Sequence, residues 1–205
     1  AGIVAEHGLL AADAEAINPG FFRRMREGKP YVRCKLAMSL DGRTAMASGE
    51  SKWITAEAAR NDVQRLRARS SAIVTGIDTV LADDPRLNAR VAGSVRQPLR
   101  VVADSRWRTP VNSRLLAAGG DVLLAGVGEP PVALADGGAD CLTLPAGEGG
   151  IDLGALLDEL GRRGVNEVQV EAGSRLCGAL LTQGLVDEVL LYVAPLMLGD
   201  GGPGP

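Results

Sequence analysis

Polar and apolar residues alternate from Tyr31 to Ser39 in the order Tyr, Val, Arg, Cys, Lys, Leu, Ala, Met, Ser. A period of two sends successive side chains to opposite faces of a strand, so this stretch is predicted to be one. Asp41-Gly42 follows as a turn signal, and residues 43–47 are expected to return as the second arm of a hairpin. Thr55 is the expected N-cap of a helix running to about Arg69, with Ala58, Ala59, Val63 and Leu66 at helical spacing. Beyond it, short apolar runs at 72–75, 99–103, 121–125, 140–144, 167–171 and 188–194 read as strands. Helical stretches at 79–82, 152–163 and 174–183 lie between them. Continuous apolar strands separated by helices imply an α/β fold with a mostly parallel central sheet flanked by helices.

Residues 1–28 differ from the rest. Asp13-Ala14-Glu15-Ala16 reads as a short strand or loop, Phe21 to Arg26 as a charged helix, and Gly28-Lys29-Pro30 as a break. This segment is taken as a linker or the tail of an upstream unit, with the main domain spanning 29–205.

Composition narrows the picture. The chain is 46% hydrophobic but only 3% aromatic, so aliphatic side chains must fill the core. The net charge is −3 and basic residues are interleaved with acids, which leaves no nucleic-acid footprint. Three Cys and one His occur, with no CxxC and no HExxH. That pattern argues against a disulfide framework and a zinc site and suits a reducing cytoplasm, so no metal is expected. No apolar run approaches the roughly 20 residues that span a membrane.

Four places can carry chemistry. In Val168-Gln169-Val170-Glu171-Ala172-Gly173-Ser174 an apolar strand ends in an acid, and a glycine turn opens a helix. Exposed N–H groups at such a helix start form an anion site, although an ordinary junction with Ser174 as N-cap has the same spacing. The GxGxxG and GxxxxGK[ST] signatures are absent, so a dinucleotide site would be of another type. The second place is 39–55, where Trp53 sits in a polar loop beside Ser51, able to stack on a ring or to plug the core. The third, 79–90, combines Asp83 and Asp84 with Arg86 and Arg90 around Pro85, as a functional loop or a solvated turn. The fourth is a strand end, Asp104-Ser105-Arg106. Ser105 and Arg106 suit a ribose 2′-phosphate, while Asp104 suits the unphosphorylated 2′-hydroxyl, so the choice stays open there.

Taken in order, 35–45, 49–55, 79–85, 170–173 and 185–188 closely resemble the reductase domain of the bifunctional riboflavin-biosynthesis deaminase/reductase family, over about residues 31–200. The resemblance implies a dihydrofolate-reductase-like fold, NADPH as hydride donor, and reduction of 5-amino-6-(5-phosphoribosylamino)uracil to the ribitylamino compound. Carried over by position, the cofactor would meet Ala37, Trp53, Thr79, Asp83, Ser105 and the turn Gly173, Ser174, Arg175, Leu176, Cys177, Gly178 and Ala179. The substrate would meet Ser51, Arg67, Leu87, Arg90 and Glu171, with Arg67 and Arg90 as phosphate partners. A general acid is required near the sugar. Lys35 is the first candidate for the ribose chain, and Glu171 the second as anchor or proton relay.

The resemblance further implies a zinc deaminase domain upstream, a homodimer, and a final strand past Leu198-Gly199 that is expected to be missing here. The deaminase signature itself is absent. Two other readings stay open. One is a stand-alone reductase acting on the undeaminated diaminopyrimidinone; the other is a non-catalytic dinucleotide-binding or scaffold domain.

Overall fold

The computed structural model describes residues 2–47, 56–93, 96–199, 202 and 204. Two helices, α1 (Ala11–Ile17) and α2 (Pro19–Glu27), lead into β1 (Tyr31–Ser39). Then come α3 (Glu57–Arg69), β2 (Ala72–Gly76), α4 (Ile77–Asp83), β3 (Leu99–Ala103), α5 (Arg114–Ala117) and β4 (Val122–Gly126). The chain continues through α6 (Val132–Asp136), β5 (Asp140–Thr143) and a small hairpin of β6 (Ala146–Gly147) and β7 (Gly150–Ile151). It finishes with α7 (Leu153–Arg162), β8 (Glu167–Val170), α8 (Ser174–Thr182) and β9 (Glu188–Ala194).

The main sheet has seven strands in the order β5-β4-β3-β2-β8-β1-β9, and every neighbouring pair is parallel. The strand period sorts their side chains into two cores. Val32, Cys34, Val74, Val101, Leu123, Val168 and Val170 face the leucines of α7 and Cys177 and Leu180 of α8. Ile73, Val102, Val122 and Leu124 face the opposite way, onto Ile77 and Val80 of α4, Leu115 of α5 and Leu134 of α6. Coverage on both faces is why these strands read as unbroken apolar runs. Under α3 the second face changes character. There β1 and β8 place Arg33, Lys35 and Gln169, with Arg33 opposite Gln169 in register.

Four expectations are corrected. Residues 43–47 form no strand. Instead the Asp41 carboxylate accepts the Leu198 and Gly199 N–H groups, drawing the C-terminal segment across the turn where a hairpin partner would lie. Asp13 to Ala16 belong to α1 rather than to a strand or loop. The N-cap of α3 is Ala56, while Thr55 lies outside the described residues. The N-cap of α8 is Gly173, which leaves Ser174 as its first helical residue. The helix at 79–82 is also longer than its apolar run and ends at Asp84, left-handed at φ 40°, just before Pro85.

Gly28 closes α2 in the left-handed region at φ 73°, as the Gly-Lys-Pro break foretold. Its carbonyl packs so tightly on α7 that a Cβ at Gly161 would collide with it.

Candidate active site

In a parallel sheet the carboxyl ends of the strands gather loops and helix N-termini, and ligands bind there. Glu171 sits at that edge, just past β8. Its N–H donates to the Val74 carbonyl at 2.9 Å, and its carbonyl accepts from Thr75 Oγ1 at 2.7 Å, so β2 fixes its backbone. Its side chain turns toward α3. Arg67 donates to it through Nε and Nη2, both at 2.7 Å, and Gln169 Nε2 adds a third contact at 2.8 Å. Arg67 Nη1 reaches the Asn88 carbonyl at 3.1 Å, which links the site to the loop after α4.

Charge follows from this packing. Burial opposes ionisation of Glu171, but the Arg67 contacts, the Lys35 charge and the Gln169 amide outweigh it and hold the carboxyl below its ordinary value. Lys35, half-buried on β1 and nearly level with Glu171, is pushed down. Desolvation is the chief cause and Arg67 adds to it, while Glu171 works against both. Its ammonium lies 5.6 Å from the centroid of the Tyr192 ring. Arg90 is exposed at the rim, and the charges of Arg67, Arg86 and Arg114 all bear on it. Several guanidinium groups in one place make this rim attractive to an anion.

The other predicted residues that are described lie on β1, α4 and α8 and in the loops after α4 and β3. Ala37 follows Lys35 on the same face of β1, and Thr79 and Asp83 lie on α4. Ser105 follows β3 and is partly exposed, as is Lys35. The α8 start offers backbone rather than side chains: no side chain caps it. By helix geometry the N–H groups of Ser174, Arg175 and Leu176 therefore point outward. Arg175 reaches Asp78 at 3.1 Å, Leu176 approaches Gly76, and Cys177 is buried in the core. Gly173 and Gly178 have open space where a Cβ would sit, and Ala179 packs against the core. Leu87 is 2% exposed with φ 50°, so only its backbone can face a ligand. Ser51 and Trp53 lie outside the described residues.

Asp104 is buried, and its Oδ2 accepts from the Thr109 N–H at 2.7 Å and from Thr109 Oγ1 at 2.8 Å. It braces its own loop and is not presented to a ribose. Four neighbours went unpredicted: Gln169, Asn88, and Tyr192 with Asp62, whose carboxylate accepts from the Tyr192 hydroxyl at 2.5 Å. Only Gln169 carried a local signal, as a polar residue inside an apolar strand. Among the described residues no cluster of His, Cys, Asp and Glu fit to hold a metal occurs, and no helix is long and apolar enough to cross a membrane.

Residues 30–205 match the family described as RibD C-terminal domain. The chain belongs to that family. It is 46% identical over 217 residues to the riboflavin biosynthesis protein RibD of Escherichia coli K12, an alignment spanning 100% of this chain and 59% of that protein. The solved structure of Acinetobacter baumannii RibD, form 2, superposes with a TM-score of 0.87 at 43% identity, covering 97% of this chain and 55% of that one. A Thermotoga maritima protein described as a diaminohydroxyphosphoribosylaminopyrimidine deaminase/5-amino-6-(5-phosphoribosylamino)uracil reductase gives 0.81 at 26% identity, covering 95% and 53%. The chain thus spans little more than half the length of these relatives. As a RibD C-terminal domain its parallel sheet is of the dihydrofolate-reductase-like class.

Proposed function

We propose that this chain is an NADPH-dependent reductase of riboflavin biosynthesis that converts the ribose of 5-amino-6-(5-phosphoribosylamino)uracil to its ribitylamino form. The observation that carries the reading is the grouping of Lys35 with the Glu171–Arg67 pair at the carboxyl edge of β1 and β8. Family membership and the resemblance to the Thermotoga protein support it.

Held ionised by Arg67, Glu171 is a poor proton donor near neutral pH and a good acceptor for sugar hydroxyls. Lys35, eased toward proton release by desolvation, is the better match for the general acid that polarises the opened sugar at C1′ and delivers its proton. Arg90, with Arg86 and Arg114 nearby, suits the substrate phosphate, and the remaining N–H groups of Arg67 can join it. Leu87 contributes backbone and Ser51 a hydroxyl.

The residues present fit a dinucleotide. The uncapped start of α8 suits a pyrophosphate, and Ser105 with Arg106 suits a 2′-phosphate. Ala37, Trp53, Thr79 and Asp83 complete the assignment, with Gly173 to Ala179 supplying the turn. When bound, the nicotinamide supplies the hydride.

Residues 1–28 are read as the link to an upstream deaminase domain. In support, α2 is docked onto the reductase through Arg24 Nε on Asn166 Oδ1 at 2.5 Å and Arg23 on Asp187 at 2.9 Å. A homodimer is supported by the row Val189, Leu191 and Val193, each 42–48% exposed on the edge strand β9.

The test is loss of reduced-nicotinamide absorbance with NADPH and the deaminated substrate, with the undeaminated pyrimidine in parallel. Oxidation with the deaminated compound alone is expected. Turnover only with the undeaminated compound moves the chain to the stand-alone class, and binding of NADPH without turnover on either removes the reductase assignment.

A further inference from the structure

We propose that Tyr192, held by Asp62, is a positioning residue that keeps the Lys35 ammonium at the carboxyl edge of β1 during the reduction. The proposal rests on the role given to Lys35 above and adds two residues that neither the sequence nor the family resemblance brought into the site.

The geometry begins with register. Lys35 stands opposite Leu190, and Ala37 opposite Tyr192, so Tyr192 is the diagonal neighbour of Lys35 one pleat further along. For the Lys35 ammonium to lie 5.6 Å from the Tyr192 centroid, the side chain must lean along the strand toward the carboxyl edge. That edge is where ligands bind. A ring face attracts an ammonium most where water is scarce, and Lys35 is partly desolvated.

The ring is itself fixed. Tyr192 Oη donates to Asp62 Oδ2 at 2.5 Å, a charge-assisted contact across 130 positions of sequence. Burial, that contact and the Asp62 charge push the phenol well above its ordinary value, with Glu171 adding and Arg33 opposing. Tyr192 therefore keeps its proton through the working range, which suits a fixed ring better than a proton donor.

Among the described residues, charges and polar groups surround Lys35 from three elements besides its own strand. Glu171 and Gln169 approach from β8, Arg67 and Asp62 from α3, Tyr192 from β9, and Arg33 lies two residues away on β1. Glu171 and the ring favour the charged ammonium, while Arg67 and desolvation favour the neutral amine. Removing the ring tilts this balance toward the amine.

The chain has three lysines, at 29, 35 and 52, so its lysine spectrum is simple. Protein carrying [13C]lysine is titrated by NMR, with Lys35→Met identifying the Lys35 signal, for wild type, Tyr192→Phe, Tyr192→Leu and Asp62→Asn. In wild type the Lys35 side-chain signal should be displaced by the ring current. Tyr192→Leu should abolish that displacement and move the titration midpoint to lower pH, while Tyr192→Phe keeps the ring and most of both. In turnover, Tyr192→Leu should lower kcat about tenfold with KM within about twofold, and shift the alkaline limb of the kcat profile to lower pH. Tyr192→Phe should recover most of the rate.

A Tyr192→Leu protein with the wild-type Lys35 signal and pH profile overturns the proposal. So does Tyr192→Phe matching Tyr192→Leu in both measurements, because the ring would then not be the agent. Should Tyr192→Leu fail to fold, Tyr192→Met replaces it under the same two criteria; a Lys35 ring-current displacement that both Tyr192→Phe and Asp62→Asn leave whole ends the role of Asp62. If wild type oxidises no NADPH, the reductase reading fails, yet the NMR titration still judges whether Tyr192 governs Lys35.

Discussion

Arg67 grips the Glu171 carboxylate with two parallel N–H···O contacts of 2.7 Å, and both side chains are nearly buried, at 11% and 12% exposed. Removing one partner of such a pair strands a buried charge. Arg67→Ala should therefore cost about 3–5 kcal/mol in chemical denaturation, and should raise the substrate KM where the protein remains folded. Replacing both residues by apolar ones should cost less than the single change. A denaturation midpoint that hardly moves would show the pair to be more solvated than its geometry.

Acid stability has a separate marker in Asp41. Its carboxylate accepts from Ser39 Oγ at 2.5 Å and from the Leu198 and Gly199 N–H groups, and these hold its pKa at about 2 against an ordinary 3.8. Because the folded value is the lower one, the stabilisation is present above about pH 3.8 and lost as the pH falls toward 2. Asp41→Asn should lower the melting temperature most at neutral pH, flatten its dependence across that window and leave the acid end least affected. An unchanged acid limb sinks the assignment.

Nicotinamide selectivity tests the end of β3. Asp104 is fully buried with Oδ2 bonded to Thr109, so its carboxylate is not presented to a bare ribose. NADPH should bind at least about tenfold more tightly than NADH, the gap a charge-assisted phosphate contact supports, and Arg106→Ala should narrow it. Equal affinities by titration calorimetry remove Ser105 and Arg106 from the site.

Gly161 should tolerate no side chain. A Cβ there meets the Gly28 carbonyl oxygen, and Lys29 Cα lies 3.4 Å away, both backbone atoms that cannot swing aside. Gly161→Ala should lose about 1–3 kcal/mol by overpacking, while Gly178→Ala, in open space, should be neutral or stabilising. Equal melting temperatures for the two would overturn the contact.

Leu191 probes assembly. Leu191→Glu places a charge on the exposed row of β9 and should shift sedimentation from dimer to monomer. A wild-type protein that sediments as a monomer sinks the dimer instead.

The strands were legible because their chemistry is local. The runs at Leu99–Ala103 and Glu188–Ala194 carry their bounds in the sequence through successive β-branched and aliphatic residues, although only the first is packed on both faces and Val189, Leu191 and Val193 stay exposed. The start of α1 was not legible, because Asp13 to Ala16 lack an apolar face and none of its residues is buried. Glu171 was readable as an acid closing an apolar strand. Its bond to Arg67, 104 positions away, and that of Tyr192 to Asp62, 130 away, left no local trace. Sequence spacing names residues at a junction; only the sheet order decides which of them face one another.

The position of β1 has a consequence for the order in which this protein is made. The first strand among the described residues, β1, pairs only with β8 and β9, the last two, and it carries Lys35. Until some 130 further residues have left the ribosome β1 has no neighbour on either side, and Lys35 waits for Glu171 and, about 20 residues later, for Tyr192. Pairing across such a separation closes slowly. The surroundings of Lys35 are therefore assembled late, and a nascent or C-terminally shortened product carries this lysine without them.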